Sequence, residues 1–183
     1  MKVVIKLLLF VTLIGFINCG GSDINIPNER TGDDVRNDFQ NLNLLPGIND
    51  VTLESTISGI YWNFRIIVPE DASDVNKRPL ILRLHGGASN VAPEAHKSTS
   101  CLAEPGFEML NAFIISPNSD GYFWHEQQNQ VQILALLDLA NSYLPVDVDK
   151  VVVMGYSVGG NGSWFYADFY SALFSAVIPI ASS

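Results

Sequence analysis

The residues best suited to chemistry lie in one short run, Gly155-Tyr156-Ser157-Val158-Gly159, a serine held between two glycines. Four apolar residues, Val151-Val152-Val153-Met154, precede it and read as a buried strand. Gly160, Asn161 and Gly162 follow, and then an aromatic pattern at helical spacing. A strand that turns abruptly into a helix forces the corner residue into strained backbone angles, and small neighbours let the surrounding chain close in without a Cβ clash. Ser157 would then stand above the sheet at a helix N-terminus, where unpaired backbone N–H groups face a developing oxyanion. The chemistry implied is attack by a serine hydroxyl on a carbonyl, with the N–H of Val158 as one oxyanion donor. A small-residue turn without catalytic meaning is the competing reading.

Two other stretches could serve the same chemistry. His85-Gly86-Gly87-Ala88 closes the apolar strand Leu80-Ile81-Leu82-Arg83-Leu84. A glycine-rich loop just past a strand can bring a second backbone N–H to the oxyanion, and Gly87 is the candidate. His85 reads as a side chain that fixes this turn rather than as a general base. The other stretch, Ser119-Asp120-Gly121-Tyr122-Phe123-Trp124-His125, puts aromatic residues in a loop past the next strand. Open α/β sheets bind ligands at that edge, so Tyr122, Trp124 and His125, with Tyr156 beside the serine, are expected to wall a substrate site. The alternative for the loop is a hydrophobic plug over the core.

The elements that must position these residues follow from periodicity. Residues 51–57 and 61–68 read as an antiparallel strand pair turning at Ser58-Gly59. Residues 80–84, 112–116, 151–154 and 176–180 read as further strands, and 128–143 and the stretch after Ser157 as helices. Weaker helical pieces at 98–103 and 107–111 are separated by Pro105-Gly106. Alternating strands and helices from residue 79 onward predict an α/β fold with a doubly wound, mostly parallel sheet, preceded by the antiparallel pair.

The N-terminus carries a different message. Lys2 and Lys6 precede an apolar run over 7–17, too short to span a membrane and fitting a secretory signal over residues 1–18. The following Asn18-Cys19-Gly20-Gly21 resembles a bacterial lipoprotein signal, which implies lipidation at Cys19 and anchoring in the cell envelope, the alternative being plain secretion. Residues 19–50, rich in Asn, Asp, Gly and Pro, read as a tether and lead-in, leaving 51–183 as the domain. With a net charge of −9 and no basic cluster, the chain offers nothing for nucleic acid or an anionic membrane surface to hold. No cluster has metal-ligand spacing and no motif asks for a cofactor. Cys101 is expected as a buried small side chain.

The runs Arg78-Pro79-Leu80-Ile81-Leu82-Arg83-Leu84-His85-Gly86-Gly87-Ala88, the Trp124 loop, 146–164 and 174–181 together resemble the α/β-hydrolase superfamily. Within it they are similar to exported feruloyl and acetyl xylan esterases and to related peptidase-like and polyhydroxybutyrate depolymerase-like enzymes. The resemblance implies Ser157 as nucleophile, Gly87 and Val158 as the oxyanion hole, and ester hydrolysis by acyl transfer, with plant polysaccharide esters as the favoured substrate class. It also implies an acid and then a histidine after the serine. Beyond Ser157 the sequence has one acid, Asp168, and no histidine; His85, His96 and His125 all come earlier. Asp168 lies 11 residues down the expected helix, roughly 16 Å from Ser157 at about 1.5 Å per residue, too far to orient a base. A base recruited from upstream, His125, is the weaker alternative. The expectation is therefore a fold that lacks its last strands, with the strand at 176–180 left as an apolar edge and the chain inactive by itself. A non-catalytic surface lipoprotein that binds glycans or a protein partner is the competing function.

Overall fold

Strands whose side chains are buried on both faces set the architecture, because such strands are stable only inside a layered sheet. In the computed structural model, which describes residues 29–87 and 92–182, strand β3 (Arg78–Leu84) is buried without alternation from Leu80 onward. Strand β4 (Phe113–Pro117) is buried throughout. They lie at the centre of a six-stranded sheet of order β1-β2-β4-β3-β5-β6, in which β1 is Gly47–Glu54, β2 Tyr61–Val68, β5 Val146–Tyr156 and β6 Ala176–Ile180. The pairs β1–β2 and β2–β4 are antiparallel, whereas β3 runs parallel to β4 and β5, and β5 parallel to β6. This is the expected mixed sheet, with its antiparallel pair at the N-terminal side. The strand β6 forms the outer edge among the described residues, with Ile178 36% exposed.

Helix α3 (Gln127–Tyr143) turns Ile133, Leu136, Leu137 and Ala140 inward at helical spacing and leaves Val131 half exposed. They join Phe64, Leu82, Phe113 and Val153 in the larger core cluster. A smaller cluster on the other face contains Ile81, Ile114 and Met154 and includes Ala103 of the short helix α2 (Ala103–Phe107). Pro105 and Gly106, expected to break a helix, lie inside α2. Proline is tolerated there because the N–H it lacks would have no partner in a first turn. Cys101 is exposed rather than buried.

The clearest departure from expectation is α1 (Gly32–Gln40), a helix inside the stretch read as a tether. Thr31 and Asp34 form a capping box, in which the Thr31 hydroxyl accepts from the Asp34 N–H and the Asp34 carboxylate accepts from the Thr31 N–H. Only Val35 and Phe39 are buried, so the apolar stripe is two residues wide and disappears among polar neighbours in a composition count. Arg30 ties this helix to the sheet by donating to the carbonyls of Glu54 and Ser55. The expected signal and Cys19 lie outside the described residues.

If α1 is part of the folded unit, Phe39→Ala lowers the free energy of unfolding by about 3 kcal/mol in urea titration. A tether residue would leave the midpoint unchanged.

Candidate active site

Ser157 stands at the corner between β5 and helix α4 (Val158–Phe169), with φ 55° and ψ −119°. A serine at positive φ is strained, and the surroundings hold it there. Its N–H donates to the Ile180 carbonyl at 2.8 Å, and its own carbonyl accepts the Asn161 N–H at 3.0 Å. The flanking glycines are required by contact. A Cβ on Gly155 would sit 2.1 Å from the Gly159 oxygen, and one on Gly159 would sit 2.1 Å from the Leu84 oxygen. The first turn of α4 therefore rests directly on the backbone at the end of β3. Val158, Gly159 and Gly160 occupy the first helical positions, whose N–H groups have no acceptor within the helix.

The end of β3 supplies the facing wall. A Cβ on Gly86 would lie 3.4 Å from the Ser157 Cβ, so the loop passes close beside the serine. Gly87 takes φ 89°, which a residue with a side chain rarely adopts, and is exposed. Val158 and the loop at Gly86 thus come from two elements that meet beside Ser157.

His85 locks this junction. Its Nε2 accepts the Ser119 N–H at 3.0 Å. That leaves Nδ1 as the protonated nitrogen, and it donates to the Gly86 carbonyl at 2.9 Å. The ring is 2% exposed. Burial is the main reason its pKa falls from 6.5 to about 4, only partly opposed by the bond to Gly86, so the imidazole is neutral near pH 7. Both nitrogens are engaged with backbone, which fits the turn-fixing reading and leaves neither free to take a proton from Ser157. Arg83, also on β3, donates to the carbonyls of Ala95 and Ser98 at 3.1 and 2.7 Å, pinning the segment that follows the glycine loop.

The aromatic loop divides into plug and rim. Trp124, expected to wall a substrate site, is 1% exposed, a correction that favours the plug. Its indole N–H donates to the His85 carbonyl at 3.0 Å, and its ring packs where a Cβ on Gly162 would intrude to 2.6 Å. Tyr166 on α4 donates from its buried hydroxyl to the Trp124 carbonyl at 2.9 Å, and burial pushes that phenol's pKa upward. A long aromatic residue paired with a distant glycine was the missed signal. Tyr122 and Tyr156 are exposed at the sheet edge. His125 is exposed and packs between Phe123 and Phe165, with ring centroids at 5.6 and 6.1 Å. Phe165 is eight residues along α4 from Ser157, about 12 Å, so His125 is poorly placed to act as its base. Asp168 lies farther along the same helix and is exposed.

No family model matches the chain, and no curated protein matches it significantly. Solved structures match it through their fold, and the chain has the α/β-hydrolase fold. One is FphF, a fluorophosphonate-binding serine hydrolase of Staphylococcus aureus, at 24% identity and a TM-score of 0.61 over 75% of this chain and 58% of that one. A thermostable esterase matches at 19% identity and 0.60, over 74% and 41%. An acetyl xylan esterase from Aspergillus awamori matches at 20% and 0.54, over 72% and 50%. The chain thus spans about half the length of these proteins.

Two stability measurements follow. Ser157→Gly relieves the positive-φ strain and stabilises the fold by about 1 kcal/mol, whereas Ser157→Ala keeps the strain and gives no such gain in chemical denaturation. Because the folded pKa of His85 is depressed, its neutral form belongs to the native state. Its contribution is complete above about pH 6.5 and is lost as pH falls toward 4. Stability should drop by about 2 kcal/mol from this group between pH 7 and pH 5. The slope of stability against pH should flatten by that amount in His85→Gln.

Proposed function

We propose that this chain carries the nucleophile and oxyanion hole of a serine carboxylic-ester hydrolase. The observation that carries the reading is the strained Ser157 at the β5–α4 corner, with Val158 beside it and the Gly86-Gly87 loop against it. In this mechanism the Ser157 hydroxyl adds to the ester carbonyl, and the N–H groups of Val158 and Gly87 hold the oxyanion. The alcohol then leaves, and water releases the acyl group from the serine. A pair of backbone donors of this kind contributes several kcal/mol to the transition state because it needs no reorganisation as charge develops. The structural neighbours named acetyl xylan esterase and ferulic acid esterase support acyl esters of plant polysaccharides as the substrate class.

The proton acceptor is not one of the three histidines present. His85 is committed to backbone, His125 packs far along α4, and His96 is buried in the segment that lies over β2 and β4, two or more strands from β5. We therefore assign the acid and the base to polypeptide outside these 183 residues.

A longer polypeptide that adds them should hydrolyse a short acyl ester, with kcat/KM falling about 10⁴-fold or more in Ser157→Ala. The 183-residue chain alone should cleave the ester no faster than its Ser157→Ala variant. Turnover by the chain alone that Ser157→Ala abolishes would place the base within it.

A further inference from the structure

His96 is buried away from the serine and has no part in its chemistry. It sits in a single 3₁₀ turn, Ala95–Lys97, laid over β2 and β4, and is 4% exposed. Its Nδ1 is closed off from solvent and has no hydrogen-bond partner among the described residues. A neutral imidazole can leave that nitrogen as a bare acceptor, whereas a protonated ring carries an N–H at both positions and must bury a charged donor unpaired. The charged groups around the ring do not relieve it. Asp50 on β1 is held in a two-bond pair by Arg65 on β2, and Glu94 is paired with Lys97. Arg83 on β3 donates to the Ala95 carbonyl next to the ring, and His85 at the end of that strand adds to the local charge when protonated. Glu104 on α2 accepts from the Thr99 hydroxyl, and Asp120 lines the same cavity as His96. Glu94 and Asp50 favour a charge on the ring while Lys97 and Arg65 oppose it, so burial, the largest influence, holds the pKa of His96 below the ordinary histidine value.

The segment around His96 is held to the sheet by its carbonyls. Asn118, just past β4, donates to the Pro93 carbonyl at 2.9 Å. Arg83 donates to those of Ala95 and Ser98, and Arg65 to that of Lys97 at 2.7 Å. These bonds seat the turn on the sheet and keep water from the ring. No side chain between 92 and 99 belongs to either hydrophobic cluster, so the segment can part from the sheet without opening the core. We propose that His96 is an acid-sensitive latch whose protonation frees residues 92–99 from β2 and β4. The seated segment excludes the water that a charged imidazole needs and the freed segment supplies it, so proton uptake and opening are coupled. The sign follows from the ring that each state prefers. Neutral His96 belongs to the seated state, so seating is complete above about pH 6.5, the value of a solvated histidine, and weakens as pH falls. The latch depends on nothing at Ser157.

Hydrogen–deuterium exchange of the full chain at pH 7 and pH 5, corrected for the intrinsic pH dependence of amide exchange, tests the latch. Amides of the segment exchange in proportion to its open population. With the open ring titrating near 6.5, that population rises by at most about 25-fold over the interval, and peptides covering 92–99 should exchange at least roughly fivefold faster at pH 5. Helix α3 should show no comparable rise. His96→Phe and His96→Gln cannot take up the proton, and in each the exchange of 92–99 should stay within about twofold between the two pH values. Two variants are used so that one failing to fold, as its thermal midpoint at pH 7 reveals, leaves the other to decide. His85 is unaltered in both, so an acid effect arising there persists in the variants. A rise below fivefold in the parent chain, a rise that a folded variant retains, or an equal rise in α3 overturns the proposal.

Discussion

The structure depends on one close approach, the backbone of Gly159 against the backbone at the end of β3. With no room for a Cβ at 159 or 155, helix α4 can begin immediately after β5 and point its unpaired N–H groups back over the sheet edge. That approach explains why the corner residue is strained and why it stays strained. The Ser157 N–H is held by Ile180 on β6, and its carbonyl by the next turn of α4. Relaxing φ would break both bonds and lift the helix from the strand. The strain is stored by packing and hydrogen bonding on either side of the residue.

A second layer of the same construction runs through His85. Its two nitrogens join the loop after β4 to the loop after β3, and its carbonyl receives the indole of Trp124, whose own carbonyl receives Tyr166 from α4. Three segments distant in sequence are thus fixed by neutral, buried hydrogen bonds. Such bonds hold geometry without charge. The depressed pKa of His85 follows from that burial. A charged ring would lose its Nε2 acceptor, and with it the bond to Ser119.

Much of this was legible beforehand because it is local. The strand into Ser157, the glycines around it and the loop at Gly86-Gly87 announce themselves by residue type and spacing, since steric limits on a tight turn act between neighbours. The antiparallel pair and the order of strand and helix from β3 onward follow from periodicity for the same reason. Helix α1 was not legible, because two buried residues among nine carry little periodic signal and the capping box that starts it can also be read as a polar loop. Trp124 was misplaced because its burial depends on Gly162, a partner that only the folded α4 brings to it.

By itself, the sequence determined the class of fold, the serine as the residue at the strand–helix corner, and the absence of any acid but Asp168 or any histidine after it. Tertiary structure decided which of the other candidates can reach that corner. It buried Trp124, committed both nitrogens of His85 to backbone, and set His125 against Phe165 down the helix. Those outcomes rest on contacts between segments far apart in the chain, where burial and hydrogen-bond partners override what a residue's type and neighbours suggest.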